Sequence, residues 1–369
     1  MPPQAGQGEA LAEVITGKPF IFKGEEGNPL LAPRGVCLHG SSLLVSDTGQ
    51  NRVFVWHTLP EQEYQAPDLV LGQINSHETG RNSGSEVTAS TLQYPSGIWT
   101  DGKRLAVADA WNHRVLLWHT FPTRPGQPAD TVIGQAGFAH NSPNGRIGAS
   151  PTASTLNWPY GLTSDGERLF IADTGNRRVL VYDRWPEHNG AAADSVIGKP
   201  DFFERDYEPN DAIWPYSVKI GPNGELAIAD TQYYRVLLWP HWQKALSEPA
   251  HRLIGQPDLE ANGMNQYGLY PQAHTLSWCY DACFDRHRLL VADTGNSRIL
   301  AFDSLPETNS PPAKHVIGKP DFTTGSENAE TVMGTTASLY WPFSVSAQDN
   351  RLAVADTGNH RILLFTLLP

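Results

Sequence analysis

The 369-residue sequence predicts an all-β protein, a six-bladed β-propeller of four-stranded antiparallel blades. Three observations carry the prediction. One twelve-residue segment recurs six times, as "VSDTGQNRVFVW", "VADAWNHRVLLW", "IADTGNRRVLVY", "IADTQYYRVLLW", "VADTGNSRILAF" and "VADTGNHRILLF". Its aspartates, Asp47, Asp109, Asp173, Asp230, Asp293 and Asp356, are spaced 62, 64, 57, 63 and 63 residues apart. The last copy runs into the carboxyl terminus without its full complement of strands, and the missing piece stands at the amino terminus.

Within each copy, two short runs rich in Val, Ile and aromatics flank a polar turn, the pattern of a β-hairpin. About ten residues upstream of most hairpins an aromatic-Pro pair opens a further strand, in "YPSGIW", "WPYGLT", "WPYSVK" and "WPFSVS", with "APRGVC" and "WCYDAC" as weaker versions. Downstream, "DLVLGQ", "DTVIGQ", "DSVIGKPDF", "HRLIGQPDL" and "KHVIGKPDF" supply a fourth strand ending in Gly. The sixth hairpin lacks this strand, and "EVITGKPF" at 13–20 resembles it. Residues 13–17 are therefore expected to complete the last blade, removing an open sheet edge and making 1–369 a single propeller.

Hairpins of the form "ADTGNHR" preceded by "WPxG" resemble NHL repeats, in six units over practically the whole chain. The resemblance implies a six-bladed propeller. It also implies a family with protein-binding and RNA-binding members, and similar propellers serve as metal-dependent lyases and hydrolases. Fold alone does not choose among these.

Composition narrows the choice. With 27 Lys and Arg against 39 Asp and Glu, the net charge of −12 has the wrong sign for collecting phosphates, so nucleic acid is not an expected partner. Cys37, Cys279 and Cys283 are too few for a disulfide framework and read as reduced thiols. No basic-apolar leader opens the sequence and no apolar run reaches membrane-spanning length, so the expectation is a cytoplasmic monomer without a membrane partner.

The repeated residues read as architecture. Each Asp is followed five positions later by Arg, at Arg52, Arg114, Arg178, Arg235, Arg298 and Arg361. Six equivalent active sites in one chain are implausible, and the pairs are expected to brace the turns, with the carboxylate accepting turn amides and pairing with Arg. Gly49, Gly175, Gly295 and Gly358 are placed where a positive φ is expected.

Chemistry is then sought where a blade departs from the pattern. Blade two has Trp111 and His113 in its turn, and blade four has Gln232, Tyr233 and Tyr234. In blade five Cys279 replaces Pro, and Asp281 stands where the other blades have Gly or Ser. Cys279 and Cys283, four apart on one strand, are expected to face the same side. The first residues after the aromatic-Pro position, Arg34, Ser96, Tyr160, Tyr216, Tyr280 and Phe343, are expected near the channel mouth, either gripping a ligand or packing between blades. Trp158, Trp214, Trp278 and Trp341 read as core. Hairpin turns and long polar inserts such as "INSHETGRNSGSEVTAST" share one rim, which suits recognition.

The resulting expectation is a scaffold that binds a protein segment or small ligand on this loop-rich face. Its candidate ligand-binding residues are Arg34, Trp111, His113, Tyr160, Tyr216, Tyr233, Tyr234, Tyr280, Asp281, Phe343 and His360. The alternative is a metal-dependent lyase or hydrolase at the channel mouth, using Asp281, His113, His360 and Arg34 or Arg177. No cofactor is predicted for the scaffold; the enzyme alternative would call for calcium or zinc.

Overall fold

The computed structural model describes residues 15–205, 214–286 and 288–368. Six four-stranded antiparallel sheets are arranged as blades around a channel. Their innermost strands are Gly35–His39, Pro95–Thr100, Pro159–Ser164, Pro215–Ile220, Cys279–Asp285 and Pro342–Gln348.

Apolar side chains gather in clusters that each span two neighbouring blades, so the core is distributed through the seams. The second strands show why. In Leu105–Asp109, Leu105 and Val107 pack towards blade one, while Ala106 and Ala108 pack towards blade three. A strand covered on both faces reads as a continuous apolar run, and "LAVAD" and "LFIAD" do.

The amino terminus closes the ring with a strand that lies downstream of the expected residues 13–17. The outer strand of blade six is Phe20–Phe22, pairing with Ile362–Leu364 of the final strand. Of the expected 13–17 segment, residues 13 and 14 lie outside the described residues, and Thr16 makes an isolated bridge to Leu367. The final strand, Arg361–Thr366, runs one residue longer than counterparts such as Arg178–Tyr182, and the Gly17 amide donates to Thr366 O at its end. Phe22 is fully buried and stacks edge-on against Trp56 of blade one at 4.8 Å, so the latch also seals the seam between the last and first blades.

Three further expectations are corrected. The hairpin glycines do not have positive φ; that conformation belongs to the residue before Arg, at Asn51, His113, Arg177, Tyr234, Ser297 and His360, with φ of 52–59°. Glycine is needed for close approach. The Gly175 amide donates to Asn157 O at 2.8 Å, and a Cβ there would lie 2.6 Å from that oxygen. In blade two the corresponding Trp111 bond to Gln93 O lengthens to 3.2 Å. The turn geometry is nevertheless shared, because Trp111 and Tyr233 occupy the same one-turn 3-10 segments as the glycine-bearing copies.

Cys279 and Cys283 face opposite seams, the first packing between blades four and five and the second between five and six. A β-bulge between Cys279 and Asp281 shifts the register by one residue and inverts the alternation. Finally, Trp158, Trp214, Trp278 and Trp341 are not core: they are 37 to 44 % exposed.

The channel mouth as candidate functional site

The Asp-Arg pairs lie inside the blades. In each, Asp Oδ2 accepts from Arg Nε at 2.7–2.8 Å, and both side chains are essentially buried. Oδ1 accepts a backbone amide 16 residues upstream, from Leu31, Gln93, Asn157, Trp214, Ser277 and Tyr340, and not one from the turn itself. Burial pushes the Asp47 carboxyl up to about 6, against the pull of Arg52.

The arginines also pin the long inserts. Arg178 donates through Nη1 to Phe202 O and through Nη2 to Thr152 O and Thr155 O. Buried asparagines from the inserts make reciprocal amide pairs with the turns, Asn82 with Asn112 and Asn144 with Asn176. These segments are bonded parts of the rim.

Around the mouth, adjoining blades are joined by a second set of bonds that sequence reasoning missed. The Thr hydroxyl of the repeated "DT" donates to the first carbonyl of the next blade's inner strand, as Thr48 to Pro95 O at 2.7 Å and Thr174 to Pro215 O at 2.8 Å. Blade two has Ala110 there. The left-handed turn residue reaches the same neighbour: Asn51 Oδ1 accepts the Tyr94 amide, His113 Nδ1 the Trp158 amide, and His360 Nδ1 the Ala32 amide. His113 and His360 thus sit in separate seams, each using Nδ1 on a backbone N–H.

Such a bond requires a neutral ring. Burial lowers the His113 pKa from 6.5 to about 4, with a hydrogen bond to Asn157 pulling the other way. The unfolded chain therefore binds more protons than the folded one between these values. Stability from this seam is complete above pH 6.5 and is lost as pH falls towards 4, by about 3 kcal/mol in all. His113→Asn, which copies Asn51, is expected to flatten that slope in denaturant unfolding measured across the window; an unchanged slope refutes the assignment.

The first residues after the aromatic-Pro position converge at the axis. Tyr160 and Tyr216 stack at 4.2 Å, Tyr216 meets Tyr280 edge-on at 4.4 Å, and Tyr280 stacks on Phe343 at 4.3 Å. The Arg34 guanidinium lies over Phe343 at 4.1 Å and over Tyr94 at 5.1 Å, and its Nη1 donates to the Tyr216 hydroxyl at 3.4 Å. Burial raises the pKa of Tyr216, keeping the phenol neutral. The rings pack against one another as a plug, and only a 30 Å³ cavity remains beneath them.

Outside the plug lies a rim of half-exposed aromatics. Trp111 stacks on Tyr94 at 4.9 Å, Trp158 lies beside His113, and Trp278 meets Tyr234 edge-on at 5.2 Å. Tyr233 is further out, beneath the Arg235 guanidinium at 4.7 Å. Tyr94, Trp158, Trp278 and Trp341 all have left-handed backbone, with φ of 48–57°.

Asp281 is buried below the plug. Its Oδ1 faces Lys219 Nζ at 3.4 Å, and its Oδ2 accepts from Ser344 Oγ at 2.9 Å and the Val345 amide at 3.0 Å. Desolvation opposes the charge on Lys219, but Asp281, aided by Cys283 and Cys37, holds its pKa above the ordinary value. Lys219 escaped the sequence reading, although a lysine within an apolar inner strand was a visible signal. Among the described residues, no three of His, Cys, Asp and Glu are grouped to hold a metal ion.

The opposite end of the channel carries a wider opening, a cleft of 830 Å³ lined by His39, Asp101, Asp165, Arg168 and His241 among others. Its aspartates are committed to their own turns, Asp101 to Arg104 and Asp165 to Arg168.

No family model matches the chain. It is 31% identical over 150 residues to NHL repeat-containing protein 2 of Homo sapiens, covering 39% of this chain and 19% of that one. With the Bos taurus protein of the same name it shares 24% identity over 364 residues, 90% of this chain and 46% of that one. The chain thus spans less than half the length of the curated relatives it matches. Among solved structures, a streptogramin B lyase covers 95% of the chain at a TM-score of 0.48 and 11% identity.

Proposed function

The chain is an NHL-repeat six-bladed β-propeller, and from that premise we propose that it is a binding scaffold holding a protein segment across the channel mouth on its loop-rich face. The observation that carries this reading is the aromatic rim. Trp158, Trp278 and Trp341 are 37 to 44 % exposed and at the same time left-handed. A non-glycine residue pays about 1–2 kcal/mol for that backbone, and more than a third of each indole is left facing solvent instead of a seam. Large aromatics at a partly desolvated surface are the anchors on which protein interfaces depend. A net charge of −12 and exposed indole faces favour a segment carrying Lys or Arg.

The test is a random peptide library panned on the purified protein and on a variant with Trp158→Gly, Trp278→Gly and Trp341→Gly. The variant is expected to lose the peptides that the parent captures while remaining folded, the left-handed strain that Gly relieves offsetting part of the indole packing it gives up. Peptides retained equally by both proteins overturn the proposal. The lyase or hydrolase alternative draws less support, since His113 and His360 spend Nδ1 on separate amides and Asp281 is engaged by Lys219 and Ser344.

A further inference from the structure

Beneath the aromatic plug lies the 30 Å³ cavity, whose polar lining is Arg34, Ser96, Ser217, Lys219, Asp281 and Ser344, roofed by the plug rings. Its polar atoms are not all accounted for. Ser96 Oγ donates to Tyr160 O and Ser344 Oγ to Asp281, but Arg34 Nε and Ser217 Oγ are buried without a hydrogen-bond partner among the described residues. A buried N–H or O–H left unpaired costs about 1–3 kcal/mol, more when charged, so two at one small cavity call for an occupant.

Charge says which occupant. Arg34 and Lys219 bring two positive charges to the lining, and Asp281 brings one negative. The balance is one positive charge. Asp281 is turned to Lys219, Ser344 and the Val345 amide, which leaves Arg34 with aromatic faces and a phenol at its edge. The asymmetry of the ring explains the placement. One step below the plug, blades one to three have Gly35, Gly97 and Gly161, whereas blades four to six have Ser217, Asp281 and Ser344. The space accommodates one small ion or one or two waters.

We propose that the axial cavity binds one monovalent anion of halide size, held by Arg34 Nε and the Ser217 hydroxyl and balanced by the excess positive charge of Arg34 and Lys219. The proposal does not rest on peptide binding at the rim. Occupancy neutralises the one uncompensated charge at the axis, and it ties blade one to blade four across the channel.

The experiment is crystallisation from a bromide solution with anomalous diffraction at the bromine edge, alongside thermal unfolding in bromide and in sulfate at matched ionic strength. An axial anomalous peak beside Arg34 and Ser217 is expected, with a saturable stabilisation by bromide that sulfate does not reproduce. Ser217→Ala, a conservative change on an inner strand, is expected to raise the bromide concentration for half-saturation about tenfold. Arg34→Leu is expected to abolish the effect; if that variant does not fold, the Ser217→Ala shift carries the test. Ordered water in place of the peak, or equal stabilisation by both salts, overturns the proposal.

Discussion

Arg298→Met, with Asp293 left in place, is expected to lower the free energy of unfolding by about 3–5 kcal/mol, measured by chemical denaturation. Arg298 has no exposed side-chain surface and serves four acceptors: Asp293 Oδ2, Phe322 O, Gln272 O and Thr275 O. The mutation leaves a carboxylate without its counter-charge, in surroundings whose desolvation already raises its pKa. It also releases two inserts at once. A double change, Asp293→Leu with Arg298→Met, is expected to cost less than the single one, because no unpaired charge remains inside. A double variant worse than Arg298→Met would mean that the bonds Asp293 accepts from the Ser277 amide and from Asn296 outweigh the unpaired charge.

The second large effect concerns the latch. Phe22→Ala is expected to cost about 3–5 kcal/mol, the range for deleting a buried aromatic ring. Phe22 is fully buried, packs on Trp56, and belongs to the cluster joining blades six and one. Removal of residues 1–22 is expected to go further, exposing the edge of the final strand and promoting self-association, readable by light scattering. A truncated protein that scatters no more light than the parent and is equally stable would show that the ring is held by its seams alone. Those include the Thr357 hydroxyl to Pro33 O at 2.5 Å and the His360 bond to Ala32.

How far the site was legible depends on whether a residue's role is repeated. The Asp-Arg pairs could be read as architecture because the same two letters recur at the same spacing in every blade. The convergence of Arg34, Tyr160, Tyr216, Tyr280 and Phe343 followed from strand topology, since equivalent positions in a ring must meet near its axis. The latch was legible as a matching segment but not in its bounds, because the strand that pairs with Ile362–Leu364 is Phe20–Phe22, at the end of that segment and beyond it, not 13–17. The partners of His113 were not legible at all: Trp158 lies 45 residues away, across a seam.

By itself, the sequence determined a closed ring of six units, because repetition at near-constant spacing constrains a chain that must bury both faces of every strand. Only the tertiary structure decided which way individual side chains face. A single-residue bulge sends Cys279 and Cys283 into opposite seams, and left-handed backbone before the inner strands turns indoles outward that apolarity alone would have buried. Both are local departures from regular alternation whose geometric sign is set by the neighbouring blade, and no pattern within one repeat records what its neighbour does.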